Sequence, residues 1–439
     1  QGASGENMTV VATGALADGD ITITSTPGDV GALWIRATNG NATADLTDPD
    51  VGDAVLSING DRGIVVQSFT TGNATATTTN GSIVGTVSEG VQVTAEGGNA
   101  GGAFGGAGIT GATTGISASS TGGGVSITST GLITGTSGYG VLAVASSGAT
   151  VSVLGDVSAG GATGVNVGSS AGNVDVTTGN VNGAFAGVVA NAFTGSATVD
   201  TSAGTVTALG GLGVSAFGGG GTSTVTTGAI SATGEGVSAI ATGDVFVTAN
   251  GAITATGEGI LALSGGAITV TSVAVSGGSY GIYADGANAI TITSTGAVTG
   301  AANDGIYAFS TNAGVTVNAT DVTGANYGVY ADAQTDISIT TTGSVVGTAT
   351  DGIYAYSNAG AVTISAAGVT GAGYGIFGDA SGNVSITSTG AVSGADFDGI
   401  FGASATGGVT IVAVGVTGDE HGIRGSGAGD VSITATGVV

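Results

Sequence analysis

A glycine followed by Ile, Val or a similar residue returns along this 439-residue chain with near-constant spacing, from Gly63, Gly90 and Gly115 through Gly281, Gly305 and Gly328 to Gly422. The step averages about 24 residues, and from Gly281 onward it alternates strictly between 24 and 23. A period of this length means a repeat architecture, in which each unit buries its apolar face only against its neighbours. A phrase recurs with every second step: DGIYAFS at 304–310, DGIYAYS at 351–357 and DGIFGAS at 398–404. The resulting 47-residue double repeat is clear from about residue 259.

Within each period the apolar spacing is two. In AITITSTGAVTG (289–300), Ile290 and Ile292 alternate with Thr291 and Thr293, the pattern of a strand with one buried face. Val298 marks a second short strand and Gly281-Ile282-Tyr283-Ala284 a third. Strong helix formers are scarce, which disfavours leucine-rich, ankyrin and tetratricopeptide repeats. Three short strands and three corners per period describe one coil of a parallel β-helix. The pairs Val315/Val317, Ile337/Ile339, Val362/Ile364, Val384/Ile386, Val409/Ile411 and Val431/Ile433 are expected to point inward. At about 4.8 Å per coil, sixteen coils predict a rod of roughly 75–80 Å.

Composition narrows the setting. Charged residues make up 7% of the chain, Gly numbers 91 and Pro 2, while 41% is hydrophobic, so the chain reads as folded and full of tight corners. The net charge is −26, with Arg36, Arg62 and Arg424 as its only basic residues apart from one His. Nucleic acid and anionic membrane surfaces both require clustered Lys or Arg, so neither is an expected partner. There is no Cys, hence no disulfide or thiolate site, and no run of 18 apolar residues to insert in a membrane. An acidic, Lys-free, Thr- and Gly-rich chain beginning at Gln1 suits an exported, mature protein.

Residues 1–60 fit the period less well, holding both prolines, Trp34 and an acidic run. They are read as an irregular capping or docking segment that includes early coils, GALWIRA (31–37) among them, with residues 61–439 a continuous solenoid. The chain stops at Val439 in mid-repeat, which favours end-to-end self-association through the open last coil.

The candidate binding residues lie around the anchor glycines. Two places after the Gly stand Tyr283, Tyr307, Tyr330, Tyr354, Phe377 and Phe401, then Arg424. Since Ile282 and its equivalents point in, these rings should point out and stack. Before the Gly, Asp304, Asp351 and Asp398 alternate with Tyr280, Tyr327, Tyr374 and His421. Alternation would hold like charges about 9.6 Å apart instead of about 4.8 Å. The outward aromatic and acidic ladder is either a stabilising stack or a strip that takes glycans or other surfaces. An outward Thr/Ser column, including Thr291/Thr293 and Ser338/Thr340, resembles ice-binding faces but is interrupted at Asn318 and Val412.

Chemistry is sparse. A glycosidase needs two carboxylates about 5–9.5 Å apart, a condition that Asp396 and Asp398 meet but so do many pairs in an acidic solenoid. His421, the sole His, fills a slot used by Tyr in earlier repeats, and no enzyme is expected. No cofactor is expected beyond calcium, for which Asp45, Asp48, Asp50 and Asp53 in DLTDPDVGD (45–53) are the candidate oxygen ligands.

The Gly-Ile-Tyr-Ala and Val-Thr-Ile-Thr-Ser-Thr-Gly-Ala-Val-Thr-Gly style, over about residues 63–439, resembles the passenger regions of bacterial autotransporter-type surface proteins. The resemblance implies an all-β, single-stranded, right-handed parallel β-helix of about 16 or more coils, secreted and displayed at the bacterial cell surface. It also implies adhesive or biofilm-related use. The chain departs from that pattern in lacking a C-terminal translocator barrel. Two functions stay open: a cell-surface structural or adhesive solenoid, displayed singly or assembled into filaments or a surface layer, and a monomeric glycan-binding adhesin.

Overall fold

A computed structural model describes residues 8–11, 21–24, 33–37, 40–46, 56–79, 81–106 and 108–439, with backbone alone for 8–11, 21–24 and 56–57. Every regular element among them is a β-strand, and the pairings are parallel, giving a right-handed solenoid of about 16 turns. The chain divides into two compact units, Gln1–Gly228 and Ala229–Val439.

In the second unit a coil consists of three strands, such as Ile282–Gly286, Ile290–Ser294 and Val298–Gly300. Each pairs in register with its counterpart one coil on: Ile282 with Ile306, Ile290 with Val315, Val298 with Val322. Period-two alternation then sends one residue of each pair inward. Val315, Val317, Ile337, Ile339, Val362, Ile364, Val384, Ile386, Val409 and Ile411 are all buried as the sequence predicts. Val431 and Ile433 keep register with Val409 and Ile411 but are each 44% exposed, because only one neighbouring coil lies against them.

The anchor glycine is required by close approach rather than by an unusual φ. A Cβ on Gly305 would lie 2.5 Å from Val322 Cγ1 and 2.7 Å from the carbonyl oxygen of Gly328. That same carbonyl accepts the amide of Ile306 at 3.0 Å, so the backbone of the next coil cannot retreat without breaking the ladder.

The 24/23 alternation has a structural cause. Strands begin at 282, 290, 298 and 306 in one coil, but at 306, 315, 322 and 329 in the next. The second kind of coil has a longer first corner and shorter later ones. Its longer corner is stitched by a serine: Ser310 Oγ donates to the Asn288 carbonyl at 2.8 Å and accepts the Ala313 amide at 3.2 Å. Ser357 repeats both bonds 47 residues later, with Thr335 and Gly360.

In the first unit parallel pairing reaches into the first sixty residues. Met8–Val11 pairs with Ala42–Leu46, Ile21–Thr24 with Leu56–Gly60, and Leu33–Ala37 with Ile64–Ser68, so GALWIRA does contain an early strand. One corner carries an asparagine ladder. The Asn73 amide donates to Asn41 Oδ1, the Asn99 amide to Asn73 Oδ1 and the Gly124 amide to Asn99 Oδ1, each at 2.8 Å.

Candidate functional site

The outward aromatic column forms a continuous stack in the second unit. Successive centroids are 4.7 Å apart for Tyr283–Tyr307, 5.0 Å for Tyr307–Tyr330 and Tyr330–Tyr354, 4.9 Å for Tyr354–Phe377 and 5.2 Å for Phe377–Phe401. Interplanar angles run from 3° to 15°, so the rings lie face to face. In-register parallel strands impose this spacing, since equivalent residues sit one coil apart. Arg424 closes the column with its guanidinium 5.4 Å from the Phe401 centroid.

A second row was not legible as part of the stack. Tyr280 contacts Tyr283 and Tyr307 at 5.0 and 5.9 Å, and Tyr327 contacts Tyr330 and Tyr354 at 5.3 and 5.7 Å. Tyr374 repeats this on Phe377 and Phe401 and also stacks on Phe397 at 5.0 Å. Each corner tyrosine thus straddles two ladder rings. The next outward column alternates Asp285, Phe309, Asp332, Tyr356 and Asp379, in register.

Asp304, Asp351 and Asp398 do not share this outer face, contrary to expectation: they are 5%, 8% and 0% exposed. The longer corner before each of them tucks the side chain inward. Asp304 Oδ1 accepts the Tyr327 amide at 3.1 Å and Asp351 Oδ1 the Tyr374 amide at 2.8 Å, one coil on. Their spacing therefore reflects alternate corner geometry as much as charge repulsion. At Asp398 the equivalent oxygen instead meets His421 Nδ1 at 2.8 Å.

Burial sets the electrostatics. Desolvation raises the carboxyl pKa of Asp304 and Asp351, partly offset by the backbone amides they accept. Asp285, Asp332 and Asp379 are raised by the same cause. Among the rings, desolvation and then neighbouring tyrosine and aspartate charges push Tyr307 up to about 12. Desolvation, Asp332 and Tyr327 do the same for Tyr354, to about 12.

Of the proposed calcium ligands, Asp45 accepts the Thr77 hydroxyl at 3.0 Å across one coil. Asp48, Asp50 and Asp53 lie outside the described residues. A shallow cavity of about 300 Å³ opens over Gly101 and Gly102, where the outward column has no side chain at Gly101, between Thr75 and Ser126.

Residues 220–389, less than half of the chain, match the family model described as periplasmic copper-binding protein (NosD). That is a parallel β-helix family, in keeping with the fold. No curated protein and no solved structure matched the chain.

Proposed function

We propose that this chain is a structural solenoid of the bacterial envelope or cell surface, with adhesion as its use. One observation carries the reading: the residues that looked most like a binding strip spend their chemistry on one another. Sugar rings bind aromatic side chains through the ring faces, and in this ladder the faces are covered by adjacent rings at 4.7–5.2 Å. Asp304 and Asp351 are likewise spent on backbone amides of the next coil. The match to a periplasmic family supports a place outside the cytoplasm.

Copper binding does not transfer with that match. Copper favours imidazole, thiolate and thioether ligands. Residues 220–389 contain no His, Cys or Met, since the single His is His421, the single Met is Met8 and Cys is absent.

A second reading, glycan recognition, is favoured by Asp285, Asp332 and Asp379 beside the ring edges, where phenol hydroxyls and carboxylates offer hydrogen bonds to sugar hydroxyls. Negative-stain microscopy of the purified chain over a concentration series, with glycan-array binding alongside, separates the forms. Filaments or sheets that grow with concentration mean a self-associating scaffold, and separate particles without glycan binding mean a singly displayed one. Separate particles that bind a defined glycan contradict the structural reading.

A further inference from the structure

Of the three corner aspartates, Asp398 alone has a second carboxylate oxygen that is buried and without a hydrogen-bond partner. Leaving such an oxygen unpaired is costly for a charged group in a site shielded from water. The side chain is 1% exposed, and its other oxygen faces His421 Nδ1 at 2.8 Å. The amide contact that Asp304 and Asp351 make at this position is replaced here by the imidazole. One oxygen each from Asp398 and Glu420, and one ring nitrogen of His421, all lie within 4.8 Å of one another.

We infer that Asp398, Glu420 and His421 form a binding site for a divalent first-row transition cation. One imidazole nitrogen with two carboxylate oxygens is a borderline donor set that suits zinc and its neighbours better than calcium, which takes six or more oxygens. Tetrahedral zinc with bonds of about 2.0–2.2 Å places neighbouring ligand atoms about 3.3–3.6 Å apart, so the Asp398–His421 pair, now at 2.8 Å, would open slightly while Glu420 closes in. The pair comes from two successive coils, with the third ligand next to His421 in sequence, so the cation would clip the two coils together. His421 is 59% exposed, which leaves an entry path and room for solvent to complete the coordination. All three residues lie outside the span that matches the periplasmic family, so the site stands on its own geometry.

Because the chain has one histidine, its imidazole proton resonances can be followed without assignment. The test titrates Zn²⁺ into the intact chain, by calorimetry and by NMR, for wild type, His421→Ala and Asp398→Asn, with Ca²⁺ as the control for diffuse binding to surface carboxylates. The expected result is one Zn²⁺ per chain with a dissociation constant on the order of micromolar, imidazole signals that shift on binding and return with a chelator, and at least about a 30-fold loss in His421→Ala. Asp398→Asn should weaken Zn²⁺ binding as well, while Ca²⁺ binding should be the same in all three proteins. Far-UV circular dichroism verifies that each variant keeps the fold. Imidazole signals that stay put at millimolar Zn²⁺, or a His421→Ala chain that binds as tightly as wild type, would overturn the site.

Discussion

The carboxylate of Asp304 accepts the backbone amide of Tyr327, 23 residues later and one coil away, at 3.1 Å. Asp351 does the same for Tyr374 at 2.8 Å. A side chain at one corner thus satisfies the backbone of the next. Replacing Asp351 by Ala leaves the Tyr374 amide without this acceptor and opens a small void, and should cost about 1–3 kcal/mol. Asn, which keeps an acceptor oxygen, should recover part of it. Urea midpoints of the two variants against wild type check this.

Stability should fall as pH rises from acid to neutral. Burial raises the folded-state pKa of Asp285, Asp304, Asp332, Asp351 and Asp379 above the ordinary 3.8. A carboxyl with a raised folded pKa holds its proton more tightly in the folded chain, so stability declines between the unfolded and folded values and stays lower above both. Relief of self-repulsion in a chain of net charge −26 acts in the same direction. Thermal midpoints should be higher near the lower end of that window than at neutral pH. An unchanged or lower midpoint in acid would show that the buried carboxyls are not paying a desolvation cost.

At the alkaline end the tyrosine ladder sets a second limit. Tyr307 and Tyr354 are pushed up to about 12, so between the ordinary value of 10.0 and that point the unfolded chain ionises and the folded one does not. Stability should be level from neutral pH to about 10 and fall as pH rises beyond it. Phenolate absorbance of these rings should appear together with the loss of β-sheet circular dichroism, not before it.

Gly305→Ala should destabilise by about 1–3 kcal/mol or more, since its Cβ meets a backbone carbonyl that is fixed by the Ile306 amide. Gly415 offers the internal contrast in space but not in conformation: nothing lies within 4 Å, yet its φ is 62°. Ala there pays only the cost of a left-handed backbone, about 1 kcal/mol. Chemical denaturation of the two variants separates crowding from strain.

The solenoid was legible because its two signals are local and periodic: a Gly-Ile step of 23 or 24 residues and strict alternation in segments such as Ile290–Ser294. The outward rings followed from the same alternation. Whether the residue before an anchor glycine points in or out was not legible, because it depends on which corner holds one residue more. That is why Asp304, Asp351 and Asp398 read as surface residues in the sequence, and why the straddling role of Tyr280, Tyr327 and Tyr374 is not visible there. The alternation of Ser310, Ser357 and Ser404 with Gly286, Ala333 and Ala380 at the end of the first strand was the available signal, since the serine marks the longer first corner.

In the structural reading the aromatic ladder builds the coil stack instead of serving as a binding strip. Tyr307→Ala combined with Tyr354→Ala removes four stacked contacts, at about 0.5–1.5 kcal/mol each. The most direct test measures the denaturation midpoint of this double variant together with its binding to glycans and to cells. The predicted result is a loss of about 2–6 kcal/mol, with any binding by the folded chain retained. A variant as stable as wild type that no longer binds would contradict the claim and make the ladder a recognition surface.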